Sequence, residues 1–566
     1  MYNREENKGT SQAAGPEPRA LSRRSFLKGS TAALAVAGAF GMGACSPASN
    51  EAGEGPGTMA ADTSANDPAG MQPGGLWALD PVGEPSETIS TDLLVIGGGG
   101  AGIAAAIQAG QKGLKTILVE KSGTLGGAWV CTEGMFAVGS RWQGEMGVDI
   151  PVEEIIEECM EFNHYLPRYS LYNTFFSETA ATVDWAESLG AQYAAVVPIG
   201  ISQPIFHVWA REEDNHGSPA KMFFDTLAAK AQELGAEVML GTAARRVLTE
   251  NNKVIGAIVE RGDGTITKIE AGAVIIASGG YGQNKELLKT LTMSVLDPID
   301  LGVPGRDGDG IKMGVDAGAA LWKYPGTVPC CGPVVRGTEW GSYIFSLSVQ
   351  PTLWLNQDCD RVVREDVFID NFAFAGNAIK FQERLLNVFT DADLAHFESV
   401  GTYVPVFTFV NEETPMGTIR TDLEQVRGDY GSVYVADSLD DLAAQAGLDA
   451  AKLKASVQRY NELCEKGIDE DFGKKPQLMH PLTTGPYYAL DCQVGSFGSC
   501  GGLHITDKME CVDADRRVID GLYAAGNDAS GLYGDAYDAN IAPGTMAGWA
   551  LTSGRLAASH AAEYLG

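Results

Sequence analysis

Three stretches of the chain are apolar runs that stop on glycine. Leu93–Ile96 ends in "VIGGGGAGIAAAI", Ala271–Asn284 reads "AGAVIIASGGYGQN", and Arg517–Gly531 reads "RVIDGLYAAGNDASG". Short continuous apolar runs bounded by glycine predict strands buried on both faces, as in a parallel sheet. The first is followed by a small-residue helix over Ala101–Gly110 and a second strand over Thr116–Val119; the third is followed by "PGTMAGWALTSGRLAASHAA", a helix opening at Pro543–Gly544. Residues 282–484 break this rhythm. They are irregular, aromatic-rich and full of Pro/Gly turns until the helical "SLDDLAAQAGLDAAKLKASVQRYNELCEKG". The pattern predicts an α/β fold whose sheet is left after its middle strands and resumed near the C-terminus.

The spacing inside the first strand–helix turn carries chemistry. Gly97-x-Gly99-x-x-Gly102, with Gly100 and Ala101 between, places a tight turn, a close backbone approach to a pyrophosphate and a helix packed on the sheet in order. Glu120 ends the second strand, about 20 residues on, where a carboxylate accepts ribose hydroxyls. The chain therefore binds a dinucleotide. A second glycine pair, Gly126–Gly127 in "EKSGTLGGAW", and the later strands closing on Gly279 and Gly526 favour FAD over NAD. The helix start at Gly544–Thr545 offers N–H groups and a positive dipole end to the electron-rich pyrimidine edge of a reduced flavin.

Charge and the N-terminus narrow the setting. A net charge of −32 over 566 residues argues against nucleic acid or an anionic membrane surface as partner. "SRRSFLKGS" followed by "TAALAVAGAFGMGA" reads as a twin-arginine export signal over residues 1–45. Cys45 stands in "MGACS", a lipoprotein-type cleavage box without its usual leucine, and so is the candidate lipid anchor. Residues 46–89 have the Gly/Pro/Ala/Ser composition of a linker. None of the ten cysteines forms C-x-x-C and the adjacent Cys330–Cys331 is poor metal geometry, so no metal site is expected; a cluster or disulfide from distant cysteines stays open.

Together "VIGGGGAGIAAAI", "VEKSGTLGG", "VIIASGGYGQN", "GRDGDGIKMG", "LWLNQDCDRVVRE" and "GLYAAGN" resemble the FAD-dependent fumarate reductase/succinate dehydrogenase flavoprotein family, in the soluble branch with 3-ketosteroid dehydrogenases and urocanate reductase-type enzymes. The resemblance implies a Rossmann-like FAD domain in two segments, 90–281 and 485–566, with an inserted α+β capping domain over 282–484. It implies cofactor contacts from Lys121, Ala277, Asp309 and Asn527 besides the glycines. It also implies hydride transfer between flavin and a C=C or CH–CH bond beside a carbonyl, with electrons exchanged with a separate quinol- or cytochrome-linked carrier. The segment "SGTLGGAWVCTEG" has no histidine for covalent attachment, so the FAD is expected to be non-covalent.

Departures from the family pattern redirect the substrate. Where fumarate reductases place a carboxylate-binding histidine and arginine, this chain has Gly498 and Tyr537; the proton-donating arginine falls on Ile369, and its relay on Phe345 and Ser348. In the ketosteroid dehydrogenase branch a tyrosine in this stretch polarises a substrate carbonyl together with a backbone N–H. Tyr537, with Gly544 nearby, is the corresponding candidate here. Tyr343 is the leading candidate proton donor, with Tyr533 and His504 as others; Cys330 and Cys331 are further candidates to line the pocket. The expected reaction is reduction of an enone-type, steroid-like or phenolic substrate. A carboxylate-activated alkene, or ketosteroid dehydrogenation, is the alternative.

Overall fold

The computed structural model describes residues 75–199, 202–211, 218–322, 330–407, 410–534 and 536–566. Its largest sheet has a parallel core in which Glu87–Ile96 lies between Thr116–Val119 and Ile266–Ile276. Glu237–Met239 extends one side and Val518–Ala524 the other, the latter pairing Leu522 to Val274 and Ala524 to Ile276. Thus the C-terminal strand completes a sheet begun some 400 residues earlier in the chain. The Thr242–Glu250/Lys253–Arg261 hairpin joins antiparallel to Ile266–Ile276. Leu93, Leu94 and Val95 are fully buried beside Val274, Ile275 and Ile276, as continuous apolar strands covered on both faces should be.

The helices Gly100–Gln111 and Thr545–Leu565 pack on each other through small residues. A Cβ at Gly554 would lie 2.1 Å from the Ala101 carbonyl oxygen, and one at Gly102 only 1.8 Å from the carbonyl oxygen of Gly97. Glycine is required at both because backbone touches backbone.

A second, six-stranded sheet forms the cap. Tyr487–Ser496 pairs with Pro298–Asp300, Cys330–Val335, Leu385–Thr390 and Val433–Ala436, and Leu353–Asn356 adds to Leu385–Thr390. Tyr487–Ser496 lies beyond residue 485, the expected start of the second FAD segment, and its strand partners all lie within residues 298–436. "YYALDCQVGS" reads as a buried strand in either domain, and only its long-range partners decide between them. The expected linker end at residue 89 likewise falls inside a strand. Trp77 is buried at 2% exposure, and Glu87 is already in register with Thr267. The polar alternation of "ETISTD" had concealed the first half of that strand. The export signal and Cys45 lie outside the described residues, and among the described residues no helix is long and apolar enough to cross a membrane.

Candidate active site

The glycine turn has the form that a pyrophosphate needs. Gly97 holds φ +108° because a side chain would strike the Ala277 carbonyl, whereas a Cβ at Gly99 would meet nothing closer than the Gly126 oxygen at 3.7 Å. The open position is thus the one at which a phosphate approaches the first N–H groups of the Gly100–Gln111 helix. Gly126 and Gly127, both at positive φ, run alongside, with the Gly126 N–H donating to the Gly98 oxygen at 2.9 Å. Glu120 accepts one N–H on each carboxylate oxygen, from Gly98 at 2.7 Å and Ser122 at 2.8 Å. Each oxygen keeps a lone pair for a ribose hydroxyl. These residues fit the adenosine and pyrophosphate of FAD, which brings hydride chemistry when bound.

Other expected contacts are arranged differently. Lys121 pairs with Asp309 at 2.7 Å and Asp307 at 2.9 Å, so two predicted cofactor residues hold each other and fasten the Asp309–Asp316 helix to the second strand. Gly279, with Ser278 and Gly280, directs its N–H at the carboxylate of Asp528, which is fully buried. Asp528 was missed in the sequence. It ties the glycine end of Ile266–Ile276 to the turn after Val518–Ala524, with Asn527 against Gly280 and Gly526 against Ala101. Burial raises its carboxyl to about 6.

The stretch 531–544 carries the candidate chemistry. Tyr537 is buried, its ring 5.9 Å from Phe372 and 5.6 Å from Tyr533. Burial, with the neighbouring Asp538 carboxylate, pushes its hydroxyl well above the ordinary tyrosine value. Gly544, at φ +81°, is fixed by packing, since a Cβ would lie 2.7 Å from the Phe136 nitrogen. Thr545 accepts from Tyr533 and donates to Asp538, each at 3.1 Å, and Tyr172 donates to the other Asp538 oxygen at 3.0 Å. Two amide bridges secure the stretch to the cap: Asn371 Nδ2 donates to the Tyr537 oxygen at 3.1 Å and Asn540 Nδ2 to the Ile369 oxygen at 3.1 Å.

Asp538 was also missed, because nothing in "DAYDAN" distinguishes its two carboxylates. Burial lifts it from 3.8 to about 6. In this window the folded chain holds a proton that the unfolded chain has released, so the contribution of Asp538 to stability falls as pH rises from about 4 to 6. The thermal stability of Asp538→Asn relative to wild type should improve over that range by on the order of 3 kcal/mol. A pH-independent gap would contradict it.

The other predicted donors are dispersed. Tyr343 opens the Tyr343–Ser348 helix half-buried, and among the described residues no hydrogen bond or ring contact joins it to Tyr537. Phe345 is buried, and Ser348 donates to the Ile344 oxygen at 2.7 Å, so neither forms an ionisable relay. His504 belongs to a separate cluster with Trp322. Cys331 is buried against Gly495 in the cap sheet. Gly498 faces a guanidinium: a Cβ there would lie 2.7 Å from Nη1 of Arg306. That arginine is buried, pairs with Asp300, and donates to the Phe497 and Val303 oxygens at 3.0 and 3.1 Å.

Residues 92–540 match the model of the FAD binding domain family. The chain belongs to the FAD-dependent fumarate reductase/succinate dehydrogenase flavoprotein family. It is 31% identical over 488 residues to the vinyl phenol reductase of Lactiplantibacillus plantarum, covering 84% of this chain and 97% of that one. The open form of a flavocytochrome c3 fumarate reductase superposes with a TM-score of 0.64 at 26% identity, covering 85% of this chain and 79% of that one. A 3-ketosteroid delta1-dehydrogenase from Sterolibacterium denitrificans shares the fold at a TM-score of 0.65 and 20% identity, covering 84% and 99%. The flavoenzyme is an FAD-dependent oxidoreductase of the group that acts on carbon–carbon double bonds.

Glu120→Ala should weaken FAD binding by about tenfold or more, since a charge-assisted hydrogen bond contributes about 1.5–3 kcal/mol. Titration of the stripped protein with FAD measures it. Unchanged affinity would remove Glu120 from the cofactor site.

Proposed function

We propose that the flavoenzyme reduces the alkene of a neutral conjugated substrate, an enone or an aryl alkene of the vinylphenol class, after export by the twin-arginine route. The observation that carries this reading is the run of aromatic rings where the inserted segment meets the stretch 531–544. Trp340, Phe497, Phe372 and Tyr537 follow one another at ring distances of 4.4, 5.2 and 5.9 Å, with Phe407 5.1 Å from Trp340. Where a dicarboxylate would need countercharges stand Gly498, Tyr537 and Ile369, and the nearby Arg306 is already engaged by Asp300. Aromatic walls favour a planar apolar substrate, and carboxylates brought there would be desolvated without a partner.

In this reading Tyr537 directs its hydroxyl at the substrate oxygen, where negative charge accumulates as the alkene is reduced. Tyr533, Thr545 and Asp538 hold a continuous hydrogen-bonded path behind it. Reduced FAD, held non-covalently, supplies the hydride. Electrons arrive from a separate carrier, quinol- or cytochrome-linked, and Cys45 is the proposed lipid anchor. The similarity to a vinyl phenol reductase over nearly that protein's whole length supports the substrate class.

The test is reoxidation of the reduced flavin by a panel: 4-vinylphenol, a steroid enone, cinnamate, urocanate and fumarate. A neutral alkene should react about a hundredfold or more faster than fumarate, since two unpaired carboxylates in a desolvated site cost several kcal/mol. Efficient turnover of fumarate would overturn the reading.

A further inference from the structure

A cavity of about 430 Å³ lies among Arg168, Trp322, His504, Thr506, Asp507 and Arg516. Its walls are rich in hydrogen-bond donors. The Trp322 indole N–H is buried and has no acceptor among the described residues. Arg168 lies 5.8 Å over the indole ring, anchored by the Ile505 oxygen and by Asp507 at 2.5 Å, which leaves it other N–H groups. Arg516 is exposed and forms no ion pair among the described residues. The neighbouring acids do not neutralise it, because Asp513 and Asp515 are both taken by Arg517, at 2.7 and 2.8 Å. His504 packs edge-on to Trp322 at 4.8 Å, and burial together with the two arginines holds its imidazole down at about 4. Two guanidiniums against the single carboxylate of Asp507 make a positive recess on a chain of net charge −32. An unpartnered buried N–H beside it is costly unless something accepts its hydrogen bond.

We propose that this cavity binds an anionic group, a phosphate or a carboxylate, between Arg516, the Trp322 indole N–H and the free edge of Arg168. The site stands apart from the cofactor cradle yet touches the reaction centre's scaffold. The backbone N–H of Arg168 donates to the Gly531 oxygen at 2.9 Å, at the start of the stretch that ends in Gly544. Its occupant therefore rests on the residue that anchors one end of that stretch.

Isothermal titration of the full-length, FAD-loaded protein with inorganic phosphate, and separately with acetate, tests this; the bound FAD keeps the anions out of the pyrophosphate cradle. One anion should bind per chain. Arg516→Gln and Trp322→Phe should each weaken it about tenfold, the loss of one strong hydrogen bond. Trp322→Phe keeps an aromatic face for Arg168 while it removes the donor together with the pyrrole half of the indole. Arg459→Gln, an exposed arginine paired with Asp471, should change nothing. Binding of phosphate alone marks a phosphate-bearing ligand, and equal or tighter acetate marks a carboxylate. No binding of either anion, or binding that both substitutions leave intact, would overturn the proposal.

Discussion

Tyr537→Phe is expected to lower kcat about a hundredfold while FAD content stays at the wild-type level. Removing one preorganised donor from a site of developing negative charge typically costs that much. The phenylalanine ring can keep the packing between Phe372 and Tyr533. Tyr537→Ala gives the contrast: it empties the ring's place and should destabilise by about 3–5 kcal/mol. The two effects separate by assay, kcat for the hydroxyl and stability for the ring. Wild-type turnover in Tyr537→Phe on an identified substrate would reduce Tyr537 to a packing residue between Phe372 and Tyr533.

Glu365→Ala should be the most damaging single change in the cap, about 3–5 kcal/mol by urea denaturation. Arg361 donates to both Glu365 oxygens at 2.8 Å and to both Asp469 oxygens at 3.0 and 2.9 Å. Lys474 lies 3.4 Å from Glu365 and donates to the Thr352 oxygen and the Tyr460 hydroxyl at 2.9 and 2.8 Å. Glu365 and Lys474 are both 0% exposed. Two positive and two negative charges balance in this buried square, and removing one carboxylate leaves an ammonium without its counterion. Burial already lowers the Lys474 pKa, so neutralisation of the lysine should absorb part of the loss at high pH. The double change Glu365→Met with Lys474→Met should recover much of the stability. A Glu365→Ala protein within 1 kcal/mol of wild type would deny the network its structural role.

The parts legible in the sequence were those in which one residue type serves one local purpose. Gly97, Gly99, Gly102 and Glu120 occupy a single turn and its neighbouring strand end, so their spacing alone predicted the turn that the structure shows. Asp528 and Asp538 were illegible because their partners lie far away in the chain: Asp528 accepts from residues 278–280, and Asp538 from Tyr172. The same holds for the ion square, where "DRVVRE" suggested a substrate cap, but its Asp469 and Lys474 partners stand over a hundred residues on. The partners of Tyr487–Ser496 escaped for the related reason that a buried strand carries no mark of which sheet it will enter. Ile369 was read as a missing proton donor, yet its backbone oxygen serves as an anchor for Asn540, a use to which side-chain identity is blind.

The order of strands in the large sheet also bears on how the chain comes to be made. The end of Ile266–Ile276, from Val274 to Ile276, has no partner on one flank until Val518–Ala524 leaves the ribosome, and the N–H groups of Ser278, Gly279 and Gly280 have no acceptor until Asp528 follows. A nascent chain stopped at residue 500 would expose the open side of a parallel sheet, the kind of edge that invites association with other chains. Residues 517–566 therefore act as a latch that closes only once they have been made.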